Sequence, residues 1–440
     1  MKQKVIQILR CIAVWAASLA LLTGLMFLTA LIPDENIKDN LIESGLTLMK
    51  AEPHEPVTEN MYHSIQDNYA DAVLLGVISG VSSENPVYTA INTMYYDGGD
   101  KGESHGIVAS AAGVKPNTDY TRYWHGSMIV LRPLLTFADI DSIKIISAFV
   151  MLFLASLSCY MLIKRKNTDI AVIFVLSLAM VQAFYVPISL EYIIVFTIML
   201  ALCPFYIQFS GNNTALLLLS VLGGTVTAFT DFLTTETMTL LVLLLLVLFI
   251  RIKDGSFSAK SDAGFASGCG AGWFLSYIFT FVSKWVLATI VTGENKFTAA
   301  LESFAERTSG NAEEFENPVQ QSFSALAANL TMLFPGPDRI NPVAMLLGFG
   351  ISALLAVFII FKFRGNPSKG MIVILAVTAV LPALRFMVLG NHSYLHCFFT
   401  YRALMSSIMS VLGIIWFSLD RRKLPFSRQP EIKSVKKRKV

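Results

Sequence analysis

The chain has 440 residues, 54% of them hydrophobic and only 15% charged, with a formal net charge of +3. Its mean hydropathy of +0.59 lies far from a soluble globular composition and equally far from a disordered or nucleic-acid-binding one. Five cysteines, all in or at the edge of apolar runs and without a CxxC pair, indicate neither a disulfide framework nor a thiolate metal centre; Cys11, Cys159, Cys203, Cys269 and Cys397 read as small apolar fillers.

The apolar residues fall into ten blocks, at 8–32, 141–163, 168–187, 190–208, 214–232, 236–252, 266–291, 342–363, 370–389 and 400–419. About 20 such residues cross a hydrocarbon core of about 30 Å as a helix, the form that satisfies its own backbone in lipid. The expectation is an all-α integral membrane protein with about ten transmembrane helices. The first block follows Lys2, Lys4 and Arg10, as a signal peptide would. Its run is too long for that and ends in Pro33-Asp34 without a small-x-small site, so it is read as a membrane helix. With the N-terminus inside, the short segments 1–10, 164–168, 209–213, 251–262, 362–369 and 420–440 hold most of the 34 Lys and Arg. The positive-inside rule then places both termini in the cytoplasm of a multi-pass cell-membrane protein.

The chain divides accordingly into a first membrane helix (1–32), an outer loop with interfacial helices (33–140), helices two to seven (141–291), a second outer loop (292–341), helices eight to ten (342–419) and a basic tail (420–440). In the first outer loop, ENMYHSIQDNYADAVLLGVISG (59–80) starts polar and turns apolar. Asp67 and Asp71 lie in it four apart, so one helix would place both on one face. Like charges at that spacing do nothing for a helix; one carboxylate with a raised pKa, one facing a cation, or a plain solvated face all fit. Further on, YWHGSMIVLRPLLTFADI (123–140) sets Trp124 and His125 beside an apolar run too short to span, as in an interfacial helix.

Within the later blocks, Glu191 opens the fourth and Asp231 closes the fifth in DFLTTE, where it also fits a helix cap. Lys284 and Arg385 lie at membrane depth, where a charge either snorkels, pairs or faces a functional cavity. In the second outer loop, FTAALESFAER (297–307) reads as a further amphipathic helix and FPGPDR as a turn. The junction NHSYLHCFFTYR (391–402) carries His392, His396 and Arg402 between two apolar runs. The i, i+4 histidines suit hydrogen bonds to a phosphate or, as the open alternative, a shared divalent metal; Arg402 offers a bidentate fork. No further cofactor is indicated.

This layout, with a long first outer loop holding interfacial helices and acidic residues, resembles the GT-C superfamily of membrane glycosyltransferases. The strings YWHG, LRPLL, DFLTT, SKW and NHSYLHCFFTYR also resemble recurring strings of bacterial polytopic membrane proteins with this layout. The resemblance implies transfer of a sugar from a polyprenyl-phosphate donor to a cell-envelope acceptor at the outer surface. It implies a catalytic carboxylate in the first outer loop: Asp67 or Asp71, with Asp34 and Glu35 as earlier candidates. Arg402, His392, His396, Arg385 and Lys284 would stabilise the leaving phosphate, and His125, Trp124, Glu191 and Asp231 would line the pocket. Membrane lipids are the expected partners, and nucleic acid is not. A transporter or lipid flippase, or a non-enzymatic envelope-assembly protein, fits the same topology.

Overall fold

The computed structural model describes residues 2–310 and 315–424; the basic string KSVKKRKV of the tail lies outside the described residues. All ten apolar blocks are helical. Eight helices are long and apolar enough to cross a membrane: Lys2–Ala30, Ile140–Lys164, Leu190–Gln208, Asn213–Thr230, Ala259–Thr292, Pro342–Phe363, Lys369–Val388 and the segment Cys397–Phe417. Two expected spans are shorter. Thr168–Met180 has 13 residues, because the chain turns at Gln182 (φ 50°) into a 3-10 segment through Pro187. Met238–Lys253 has 16 residues, because Asp231 to Thr237 form a separate turn. The protein is therefore an all-α, multi-pass membrane protein, and among the described residues the sheets are two two-stranded ribbons.

Met238–Lys253 is the central helix. Every residue from Met238 to Arg251 is buried, which explains a sequence that is apolar all round rather than on one stripe. The helices Leu190–Gln208, Asn213–Thr230, Ala259–Thr292, Lys369–Val388 and Met405–Phe417 surround it. Pro342–Phe363 is the opposite case, with no buried residue at all, so its apolar side chains lie on the surface of the bundle, as a helix facing lipid requires. The 34 residues of Ala259–Thr292 amount to about 51 Å of helix. This helix outruns the hydrocarbon core and supports the outer loops.

The short segments with the basic bias meet at one end of the bundle. Arg251 binds Asp262 (2.6 Å) and the Ser210 carbonyl, Lys253 binds Asp169 and the Lys166 carbonyl, and Gly365 N–H donates to Ser418 O. The two long outer segments meet at the other end. Lys296 pairs with Asp119 (2.6 Å), and Tyr62 N–H donates to Gly336 O (2.9 Å). The outer loops thus form one cap over the bundle.

YWHG is where this cap is seated. Trp124 stacks on Phe229 with ring centroids 4.6 Å apart and donates to Thr280 O (2.6 Å). Gly126 N–H donates to Phe229 O (2.8 Å), and a Cβ at Gly126 would stand 2.1 Å from the Phe229 ring. Gly126→Ala is accordingly expected to lower stability by about 1–3 kcal/mol through overpacking. A thermal unfolding midpoint in detergent equal to that of wild type would refute this reading of the glycine.

Candidate functional site

Beneath the cap lies a cavity of about 340 Å³ lined by residues of both long loops and by the adjoining ends of the bundle helices. Of the residues anticipated from sequence, Asp67, His125, Glu191, His392 and His396 line it. Asp67 is the N-cap of the helix Asn68–Gly80, its side chain accepting from Ala70 N–H at 2.8 Å. This ribbon-to-helix turn exposes the carboxylate to the cavity while the residue stays buried. Burial, reinforced by the Asp71 carboxylate and opposed by the Ala70 hydrogen bond, raises its pKa from 3.8 to about 7.

Asp71 does not share that face. The helix begins one residue after Asp67, so Asp71 sits in its first turn and points into the bundle. It accepts from Ser189 Oγ (2.7 Å) and Leu190 N–H (2.8 Å) and pairs with Lys144 (2.8 Å). These contacts cap the Leu190–Gln208 helix and anchor the cap domain to the membrane helices. Asp34, the earlier acidic candidate, is bound by Arg132 at 2.6 Å, which also donates to the carbonyls of Ile32, Ile78 and Val81. It is an element of the cap's framework, away from the cavity.

The expected phosphate-binding cations are differently placed. Arg402 is buried against the rings of Tyr192 and Tyr401, 5.0 Å from each, and donates to Phe398 O and His63 O. Arg385 forms a bidentate pair with Glu236 (2.9 and 3.1 Å) and donates to Leu233 O and Thr234 O. Lys284 donates to Ile91 O at 2.6 Å and lies 5.5 Å from the Trp124 ring. None of the three is among the residues lining the cavity. Asp231 also stays out of it, accepting from Thr234 Oγ1 and from the Leu233 and Thr234 amides to hold the 231–236 turn. Trp124 is occupied by the packing described above.

Two of the three cavity histidines hydrogen-bond main-chain carbonyls. His125 Nε2–H donates to Tyr120 O and His392 Nε2–H to Leu233 O, both at 2.9 Å. Burial pushes His125 down to about 3 and His396 to about 4, and lowers His392 as well. The rings of His392 and His396 are 4.7 Å apart. Among the described residues no three His, Cys, Asp or Glu are grouped to hold a metal ion. His125 (φ 57°) and Leu233 (φ 70°) have left-handed backbones, a cost of order 1–3 kcal/mol each that the surrounding contacts maintain at this site.

The cations that do line the cavity are Arg122 and Arg307. Their guanidiniums lie 5.6 and 5.5 Å from the centroid of one ring, Tyr123. Neither makes an ion pair with a carboxylate among the described residues. Two converging cations repel, and their proximity is offset when an anion lies between them. The side chains of this cavity also hold several buried polar atoms without a hydrogen-bond partner: Arg122 Nε, Arg307 Nε, His125 Nδ1, His396 Nδ1 and Glu191 Oε2. Such atoms are uncommon in folded interiors, and their collection around one cavity makes it the candidate site for a polar group.

Arg122 and Arg307 also border a second, apolar groove of about 180 Å³. Tyr277, Ile278, Phe281, Trp285 and Phe304 provide its walls, between the Ala259–Thr292 and Phe297–Ser309 helices. A polar chamber and an apolar groove therefore share two arginines as their boundary. Comparison of the chain with protein-family models, with curated proteins and with solved structures finds no match.

Proposed function

We propose that this cavity is the active site of a GT-C-like glycosyltransferase, which moves a sugar from a polyprenyl-phosphate donor to a hydroxyl acceptor at the outer membrane surface. The observation that carries the reading is the boundary at Arg122 and Arg307. A lipid-linked sugar has three parts in sequence, an apolar chain, a phosphate and a polar head. The apolar groove, the arginine pair and the polar cavity present complementary surfaces in that order. Asp67 lies within the polar cavity as the carboxylate that takes the acceptor proton. As the bond from the anomeric carbon to the phosphate oxygen breaks, the arginines stabilise the charge gathering on the phosphate. Tyr69, Tyr95 and Tyr120 give the cavity aromatic walls on which a sugar's C–H faces pack. In this reading the cap is external and both chain ends are cytoplasmic, in keeping with the basic residues gathered at the opposite end of the bundle.

The test is incorporation of labelled sugar from polyprenyl-phosphate-linked donors by the purified protein in lipid nanodiscs. Arg307→Gln and Arg122→Gln are each expected to lower the rate by roughly 10²–10³, the usual cost of removing one preorganised charge-stabilising donor. Wild-type rates in both variants would remove the phosphate assignment. A wild-type protein inert toward every lipid-linked sugar would remove the reading altogether.

A further inference from the structure

We propose that His54 carries the proton taken up by Asp67 out to bulk solvent. The inference rests on the transfer reading above and adds a residue that no sequence pattern singled out. The strand His54–Pro56 pairs antiparallel with Ile65–Asp67, in a register that sets His54 directly opposite Asp67. Its Nε2 lies 3.5 Å from Asp67 Oδ1. The imidazole is fixed in this direction by Tyr69, stacked at 6.2 Å, and by the edge of Phe398 at 5.8 Å. The Asp67 side chain is 2% exposed and that of His54 is 44% exposed, so the pair connects the buried carboxylate to water.

His54 is absent from the cavity lining. It reaches Asp67 across the two-stranded ribbon, beside the lining residue Tyr69. That position answers a kinetic need. A substrate filling a cavity of about 340 Å³ blocks the direct path from Asp67 to water, yet the carboxylate must lose its proton before the next turnover. In the relay the acceptor O–H bond breaks as the new bond to the anomeric carbon forms, and Asp67 gains the proton. Asp67 then yields it to the lone pair of His54 Nε2, the imidazolium releases its Nδ1 proton to water, and proton exchange with the water that the half-exposed ring contacts restores the Nδ1–H tautomer for the next turnover. No oxidant, metal or further reactant is required.

The charged and titratable groups around this pair come from several elements. The carboxylates of Asp71 and Glu191, on two adjoining helices, act on Asp67 through their charge, and His396 of the 391–402 junction interacts in the same way with His54. Arg402 lies over the Tyr192 ring, on which the Asp67 charge also acts. Burial lowers the pKa of His54 below its usual 6.5, leaving the ring neutral and able to accept a proton at neutral pH.

The experiment measures sugar transfer by wild type, His54→Ala and His54→Gln across a series of buffers. Both variants are expected to lose about 10-fold or more in turnover with KM little changed, and added imidazole is expected to restore His54→Ala in proportion to its concentration. Asp67→Asn is expected to show no imidazole rescue. A second readout is the titration of His54 followed by NMR of the histidine-labelled protein. In wild type the His54 resonances are expected to report the Asp67 titration near pH 7 as a second inflection, and Asp67→Asn is expected to remove it. An active wild type whose His54 variants turn over normally, without buffer dependence, overturns the relay and leaves the transfer reading standing. A His54 titration indifferent to Asp67→Asn overturns it as well. An inert wild type overturns both together.

Discussion

Asp67→Asn is expected to reduce sugar transfer by about 10²–10⁴, the usual contribution of a general base, while the protein still folds and inserts. Asn keeps the size of the side chain and a carbonyl oxygen that can accept from Ala70 N–H, as Asp67 does at 2.8 Å. The helix cap survives and only the basicity is lost. Asp71→Asn is expected to differ in kind. Asp71 is fully buried between Lys144, Ser189 and the Leu190 amide, so neutralising it strands the Lys144 ammonium. Loss of one partner of a buried pair costs about 3–5 kcal/mol, which would be seen as a low yield of folded protein. The wild-type pH profile provides an independent check. A base must be ionised to act, and the Asp67 pKa is raised to about 7. The rate is therefore expected to fall as pH drops through about 7, rather than through the range of 4 usual for carboxylates. Full activity in Asp67→Asn, or an acidic limb near pH 4, would move the base elsewhere.

Arg385→Met is expected to destabilise the protein by about 3–5 kcal/mol, because Glu236 would remain buried as an unpaired carboxylate. The effect should reach the cavity. Arg385 holds the carbonyl of Leu233 at 2.5 Å, and the same carbonyl accepts from His392 Nε2–H at 2.9 Å. Leu233 has a left-handed backbone, so the turn depends on these contacts to stay in place. The double variant Arg385→Met with Glu236→Leu removes both charges in roughly conserved volume and is expected to recover much of the stability. Its activity should stay low if the turn positions His392, and return with stability if it does not. Chemical unfolding in detergent measures the first quantity, and sugar transfer the second. A single variant within about 1 kcal/mol of wild type would show that the pair lies in a wetter environment than its burial indicates.

Much of the architecture was legible in the sequence because membrane helices are specified locally. A run of about 20 apolar residues has few alternatives in lipid, and all ten blocks became helices. Their lengths were less legible. Pro187 and the DFLTTE turn shorten two of them, and the Asp231 cap in that turn is made by a side chain whose bonds to Leu233 and Thr234 are local. Five of the anticipated site residues also converge, since Asp67, His125, Glu191, His392 and His396 all lie at junctions between polar and apolar segments.

The choice between Asp67 and Asp71 could not be made from spacing. The i, i+4 rule applies only inside a helix, and this helix starts at Asn68. One residue of difference sends one carboxylate to the cavity and the other to Lys144. Lys284, Arg385 and Arg402 lie outside the lining of this cavity for a related reason. They stood out because charge in an apolar run is conspicuous, yet burial at such positions obliges each of them to find an internal partner. Arg122 in DYTRY and Arg307 in SFAER sit among polar neighbours and look like ordinary solvated residues. They are separated by 185 positions in the chain, and only the folding of one outer loop against the other sets both beside Tyr123. The sequence by itself determined a membrane-type helical bundle with two long loops; which charges lock that bundle and which face the cavity was decided by tertiary packing, because a buried ion pair is satisfied by whatever the fold brings within 3 Å.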